Sequence, residues 1–249
     1  MSVKIEQRGA VLVITLNRPE AANALDGPTM SGIGRALTEA EHDDGVRVVV
    51  LTGAGDRIFC AGMDLKAFSA DGVPMTDGPG LEVLQRRVYP KPTIAALNGT
   101  AAAGGFELAL ACDLIVAADH AKLGLPEVKR GLLAAGGGTR LPQRIPLALA
   151  LEMGMTGGLI DAPRALELGL VNRVVPGPAV LEEALKLADE IAANGPLAVA
   201  VTKKLMYDEV RMPDWDALTE TARTVFDSED AKEGARAFLE KRPPVWTGR

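Results

Sequence analysis

Aromatic residues are scarce in this chain, 4% of 249 residues. Its core must therefore be built from Ala, Leu, Val and Ile, and a ring ladder of the kind that stacks on single-stranded nucleic acid is excluded. Cysteine is scarcer still. Cys60 and Cys112 are the two in the chain, which rules out a disulfide scaffold. Positive charge is in deficit, with 27 Lys plus Arg against 33 Asp plus Glu and a formal charge of −6. Without a basic block there is no electrostatic footprint for nucleic acid. The opening MSVKIEQRGA lacks a signal-peptide apolar segment. The apolar stretch from Pro92 to Ala118 is broken by Glu107, Asp113 and several glycines, so it is no membrane span. These absences predict a cytoplasmic, reducing location and one compact domain with a small appendage.

What is present reads as a mixed α/β chain. VKIEQRG and AVLVITLN form two strands turning at Gly9. Asp26 caps a helix with Pro28 in its first turn and Met30, Ile33, Leu37 and Ala40 on one face. VRVVVLTG, KPTIAALNG, CDLIVAAD and LVNRVVP are further strands. LEVLQRRVY, Pro146–Met153 and Ala162–Leu168 are short helices. AGDRIFCAGMDLKAF reads as a loop, and SADGVPMTDGPG, from Ser69 to Gly80, as the least ordered internal segment, a lid or a surface loop. Strand–turn–helix units recur about every 40–50 residues, which suggests stacking. The end is helical, over Val180–Ala193, Leu197–Val210, Trp215–Phe226 and Ala231–Lys241. Leu181, Leu185, Ala188 and Ile191 lie on one face of the first of these.

The chemistry concentrates in GGFELALACD, Gly104 to Asp113. A lone carboxylate in so apolar a run is expensive to bury. Glu107 either pairs with a backbone group or an arginine, or faces a cavity. Glu127, in LGLPEVKRGLLAAGGGTR, is a partner of the right type; alternatively it merely begins a helix. Two carboxylates sharing a water permit general acid/base chemistry, because burial and like charge keep one of them protonated. Gly104 and Gly105 open a helix where free amides favour negative charge, and CAGMD supplies a second amide-rich turn. Two converging N–H groups would make an oxyanion hole; the plainer alternative is a tight turn and a close helix contact. Asp113 reads as satisfying the turn between helix and strand. His42 and His120 have no constellation around them, and no serine elbow is present.

These motifs, with LNRPEAANAL, FCAGMDLKAF, NGTAAAGGFELALACDLIVAAD and AFLEKRPPVW, resemble the enoyl-CoA hydratase (crotonase) superfamily from about Val3 to the C-terminus. The resemblance implies a spiral of repeated ββα units with a helical C-terminal trimerisation region. It divides the chain into a CoA-thioester-binding core over residues 1–190 and a packing and oligomerisation region over 191–249. It implies that the Met63 and Gly104 amides hold the thioester oxygen, and that Glu107 and Glu127 add water across an enoyl double bond. Ala22, Asp64, Leu65 and Lys66 match family positions that bind CoA. Lys241 is a further CoA candidate, acting across a subunit boundary; for Lys66 a solvated surface lysine is the plainer reading. The implied cofactor is none and the implied metal none, since CoA arrives with the substrate. The implied assembly is a homotrimer or a dimer of trimers. The sequence departs from the family's common pattern at KRGLLAAGGG after Glu127, and at Met63, bulkier than the usual alanine. A specialised dehydratase, double-bond isomerase, thioester hydrolase or decarboxylase of the same type, and a non-enzymatic CoA-binding or assembly protein, are the alternatives.

Overall fold

The computed structural model describes all residues except 73, 210–214, 246 and 248–249. The β1 (Val3–Arg8) and β2 (Val11–Leu16) hairpin turns at Gly9, whose φ of 58° suits glycine. α1 (Gly27–His42) is capped by Asp26, which accepts the Thr29 N–H at 2.9 Å, and buries Ile33, Leu37 and Ala40. β3 (Val48–Gly53) is wholly buried. The next stretch corrects the loop expected there: it holds β4 (Ile58–Cys60) and α2 (Leu65–Asp71). A three-residue strand shows no alternation, and α2 depends on a cap from Asp64 to the Lys66 and Ala67 amides.

α3 (Glu82–Gln85), β5 (Thr93–Leu97), β6 (Thr100–Ala102), α4 (Gly104–Ala111), β7 (Leu114–Ala118) and β8 (Lys122–Gly124) follow. Then come α5 (Leu147–Thr156), β9 (Leu159–Asp161), α6 (Ala162–Glu167) and β10 (Arg173–Val175). The chain closes with α7 (Val180–Ala192), α8 (Pro196–Asp208), α9 (Trp215–Phe226) and α10 (Glu229–Leu239). Val210, at the expected end of α8, lies outside the described residues.

Two sheets result. The larger has the order β1-β2-β3-β5-β7-β10, parallel beyond the first hairpin; the smaller has the order β4-β6-β8-β9, parallel except at β9. Each of β3, β5 and β7 is followed by a short strand of the smaller sheet, so the chain winds as a spiral of strand–strand–helix turns. α7 packs across β2, β3, β5, β7 and β10. Leu185 and Ala188 are buried there, while Leu181 and Ile191 pack at the margin of the core. The division proposed at 190/191 falls within the last turn of α7. Among the described residues no helix is long and apolar enough to cross a membrane.

The second half of the Ser69–Gly80 segment rests on α1. Asp77 N–H donates to Ser31 Oγ at 2.9 Å, and the Met75 and Pro79 carbonyls lie against Gly27 and Gly34. A Cβ at Gly34 would stand 2.6 Å from the Gly80 oxygen, with backbone on both sides. Gly34→Ala is therefore expected to destabilise the fold by about 1–3 kcal/mol, the usual range for overpacking, read as a lowered urea midpoint.

Asp113 does more than satisfy its turn. Its carboxylate accepts from Thr93 N–H at 2.7 Å, Tyr207 OH at 2.9 Å and Lys203 Nζ at 2.7 Å, tying β5 and α8 together. Arg144 donates to the Leu110, Cys112 and Asp113 carbonyls and so satisfies the C-terminal end of α4.

Candidate active site

The smaller sheet builds the site. β4, β6 and β8 run parallel, so their C-terminal ends lie side by side. Gly62–Met63 leaves the first end, Ala103–Gly104 the second and Leu125–Pro126–Glu127 the third. The Ala103 N–H donates to Gly124 O at 3.0 Å, locking the second to the third. The motifs that looked separate in sequence are thus three neighbouring exits from one sheet.

Backbone geometry frees the two amides. Leu25 bridges Met63 in parallel: Leu25 N–H donates to Gly62 O and Asp64 N–H to Leu25 O. That pattern leaves the N–H of Met63 itself turned away from Leu25. Gly104 is the first residue of α4, where an N–H has no intrahelical acceptor. The two amides belong to one place, since a Cβ on Gly104 would stand 3.6 Å from Met63 N. One on Gly62, whose φ is +92°, would stand 2.9 Å from Gly104 N. Gly105 allows α4 to press on β4, where a Cβ would stand 2.7 Å from the carbonyl carbon of Cys60.

Glu107 is one turn into α4 and 6% exposed. Its Oε1 accepts the Gly138 N–H at 2.9 Å. Burial pushes its carboxyl up to about 7, while the amides of Gly138, Gly136 and Gly137 pull the other way. Glu127 stands in the 3₁₀ turn Pro126–Arg130, 8% exposed. Both of its carboxyl oxygens are buried without a hydrogen-bond partner among the described residues. Burial first, then the charge of Glu107, push it up to about 8. Burial and mutual repulsion therefore favour one proton on the pair near neutral pH, while the amides of residues 136–138 favour charge on Glu107.

The remaining expected residues are spread around this centre. Ala22 has φ 53° and donates to Pro19 O, while its own carbonyl accepts from Ala61 N–H at 3.1 Å, placing it beside the β4 exit. The side chain of Asp64 is used in capping α2 and in pairing with Arg18 at 3.2 Å, which leaves its backbone for any ligand contact. Leu65 and Met63 pack on a second apolar cluster of Phe68, Leu132, Ala231 and Ala235, which draws α10 over α2. The Met63 side chain is thereby occupied. Lys66 is exposed. Lys241, with φ 55°, lines a cleft of about 270 Å³ beside Lys129, Arg130 and Arg242 of its own chain.

His42 and His120 are exposed and bond to the Thr38 and Asp56 carbonyls. Cys60 and Cys112 are buried and their thiols are pushed up to about 12, which makes them packing groups. Gly138 and Gln85 belong to the surroundings of Glu107, yet sequence reasoning passed over them. The run AAGGGTR was the signal for Gly138, since three successive glycines free the backbone to approach a carboxylate.

Residues 6–249 match the family described as enoyl-CoA hydratase/isomerase. A carnitinyl-CoA dehydratase from Proteus mirabilis is 42% identical over 259 residues, covering 100% of this chain and 99% of that protein. The crystal structure of a carnitinyl-CoA hydratase from Mycobacterium avium superposes with a TM-score of 0.93 at 45% identity, over 100% of this chain and 99% of the other. An enoyl-CoA hydratase from Mycobacterium tuberculosis H37Rv gives a TM-score of 0.80 at 47% identity with the same coverage.

Proposed function

The chain belongs to the enoyl-CoA hydratase/isomerase family, and from that premise we propose that it reversibly adds water to a trans-2-enoyl-CoA to give a 3-hydroxyacyl-CoA. One observation carries the reading: a buried carboxyl, Glu127, with no partner for either oxygen among the described residues, beside a second carboxylate held by backbone amides.

In the hydration direction the thioester oxygen lies against the N–H groups of Met63 and Gly104. Glu107, ionised, takes a proton from the water as its oxygen bonds to Cβ. The π electrons of the double bond move toward the carbonyl, and the resulting enolate oxygen is held by the two amides. The electron pair returns to Cα, which takes the proton of Glu127. Glu107 ends protonated and Glu127 ionised, and one proton exchange between them resets the site. Dehydration runs through the same groups in reverse. No metal or redox group enters this scheme, and CoA arrives as part of the substrate.

Ala22, Asp64, Leu65 and Lys66 flank the β4 exit and would hold CoA through main-chain groups, with Lys66 and Lys241 near its phosphates. In this reading residues 1–190 bind the thioester and 191–249 support assembly in the cytoplasm. Two exposed apolar stripes, Leu147, Leu151 and Met155 on α5 and Leu197, Val201 and Leu205 on α8, are surfaces for a trimer or dimer of trimers.

The names of the relatives favour a second reading of the substrate, a 3-hydroxyacyl thioester with a cationic chain end, dehydrated as carnitinyl-CoA would be. Crotonyl-CoA and carnitinyl-CoA separate the two. Hydratase action removes the conjugated enoyl absorbance of the first and creates it from the second; the larger kcat/KM names the working substrate. A shifted double bond with no water added, or free CoA released, overturns the hydratase reading in favour of an isomerase or hydrolase.

A further inference from the structure

Gln85 is a buried polar residue with no assigned task. It ends α3 and is 8% exposed. Its main-chain oxygen accepts from Nη2 of Arg140, itself 5% exposed. Arg140 lies in the 3₁₀ turn Gly138–Gln143, whose first N–H holds Glu107. The Gln85 backbone and the Glu107 carboxylate are thus gripped from the same short turn.

The side chain of Gln85 points into the same place. A Cβ added at Gly136 would stand 2.8 Å from Oε2 of Glu107 and 3.2 Å from Nε2 of Gln85. Those two atoms therefore flank one glycine backbone. The amide of Gln85 makes no hydrogen bond to another described residue. The titratable group whose charge bears on Glu107 is Glu127, from the turn after β8. On α3 itself, Glu82 is engaged with the Gly80 N–H at 2.8 Å and Arg86 with Thr219.

We propose that Gln85 is a third polar group of the reacting centre: its amide hydrogen-bonds the β-oxygen of the substrate, or the water that becomes it, beside Oε2 of Glu107. Arg140 is the positioning residue that holds Gln85 there. This inference rests on the hydratase reading and adds a contact to it. It has a specific consequence. The 3-hydroxyacyl thioester carries a β-oxygen and the saturated acyl thioester does not, so Gln85 distinguishes them.

Initial rates in both directions with 3-hydroxybutyryl-CoA and crotonyl-CoA test this, with butyryl-CoA as a competitive inhibitor that is not turned over. In Gln85→Met, KM for 3-hydroxybutyryl-CoA is expected to rise about tenfold, the worth of one lost hydrogen bond near its upper range. The Ki of butyryl-CoA is expected to stay within twofold of wild type. The overall equilibrium is fixed, so kcat/KM falls by the same factor in both directions. Gln85→Asn, which keeps the amide but withdraws it by one methylene, is expected to show the same selective loss and serves if the Met variant fails to fold. Equal weakening of both ligands, or of neither, overturns the proposal. Absence of turnover in wild type instead overturns the hydratase reading, so the two failures are distinct.

Discussion

Glu127→Gln lowers turnover of crotonyl-CoA by about a thousandfold, within the range for loss of a positioned general acid, and leaves butyryl-CoA binding nearly intact. The amide cannot deliver a proton to Cα, yet it fills the same volume in a site whose walls are otherwise unchanged. The variant also behaves differently in stability. The carboxyl of Glu127 is raised by folding from the ordinary carboxylate range to about 8, because burial and the nearby Glu107 oppose its charge. A carboxyl raised in this way costs nothing below its unfolded pKa, where it is protonated in both states. It costs progressively more as pH climbs through the folded value. The wild type should thus lose stability between pH 5 and pH 9, and Glu127→Gln should lose less. The difference at pH 9 is expected to be on the order of 2 kcal/mol, read by urea unfolding at the two pH values. Near-wild-type turnover would remove Glu127 from the mechanism, and parallel pH curves would remove the buried charge.

The central expectations from sequence depended on features that are local or strongly patterned. The first hairpin, the Asp26 cap and the α7 face are all set by residues within a few positions of one another, and each stands where its pattern implied. The strands of the smaller sheet were not legible. β6, β8 and β9 have three residues each, too few for a period of two to declare itself. That loss mattered, because the smaller sheet is what aligns Met63, Gly104 and Glu127. Glu107 was recognisable from its improbability, a carboxylate in a wholly apolar helix. Gln85 was not, since a glutamine ending a short helix with charged neighbours looks like a solvated one. Its significance arises from Arg140 and Gly136, which lie about fifty residues further along and approach it only through folding. Asp113 shows the same limit: its turn was visible, while Lys203 and Tyr207 reach it from α8.

Gly62→Ala is expected to reduce kcat by about a hundredfold or more with little change in butyryl-CoA affinity. At Gly62 the backbone adopts φ +92°, and a Cβ would stand 2.7 Å from Cβ of Ala103 and 2.9 Å from Gly104 N. The added methyl must push the β6 exit away from the β4 exit. Those two exits carry the two amides proposed to hold the enolate oxygen, so their spacing changes even though neither donor is deleted. Loss of one such donor costs about 10²–10³ in kcat, because the hydrogen bond strengthens as charge develops and contributes little before that. Backbone strain alone is the competing explanation, at about 1–3 kcal/mol for a residue forced into such a region. Gly72→Ala separates the two. Gly72 has φ +77° at the end of α2, and a Cβ there meets nothing within 4 Å. It imposes comparable strain without moving either amide, so it should lower the melting temperature and spare turnover. If both variants lose the same small factor in kcat, strain is the whole effect and the Met63–Gly104 pair is not the oxyanion site. If Gly62→Ala alone loses turnover while still binding butyryl-CoA, the spacing of those two amides is what the transition state requires.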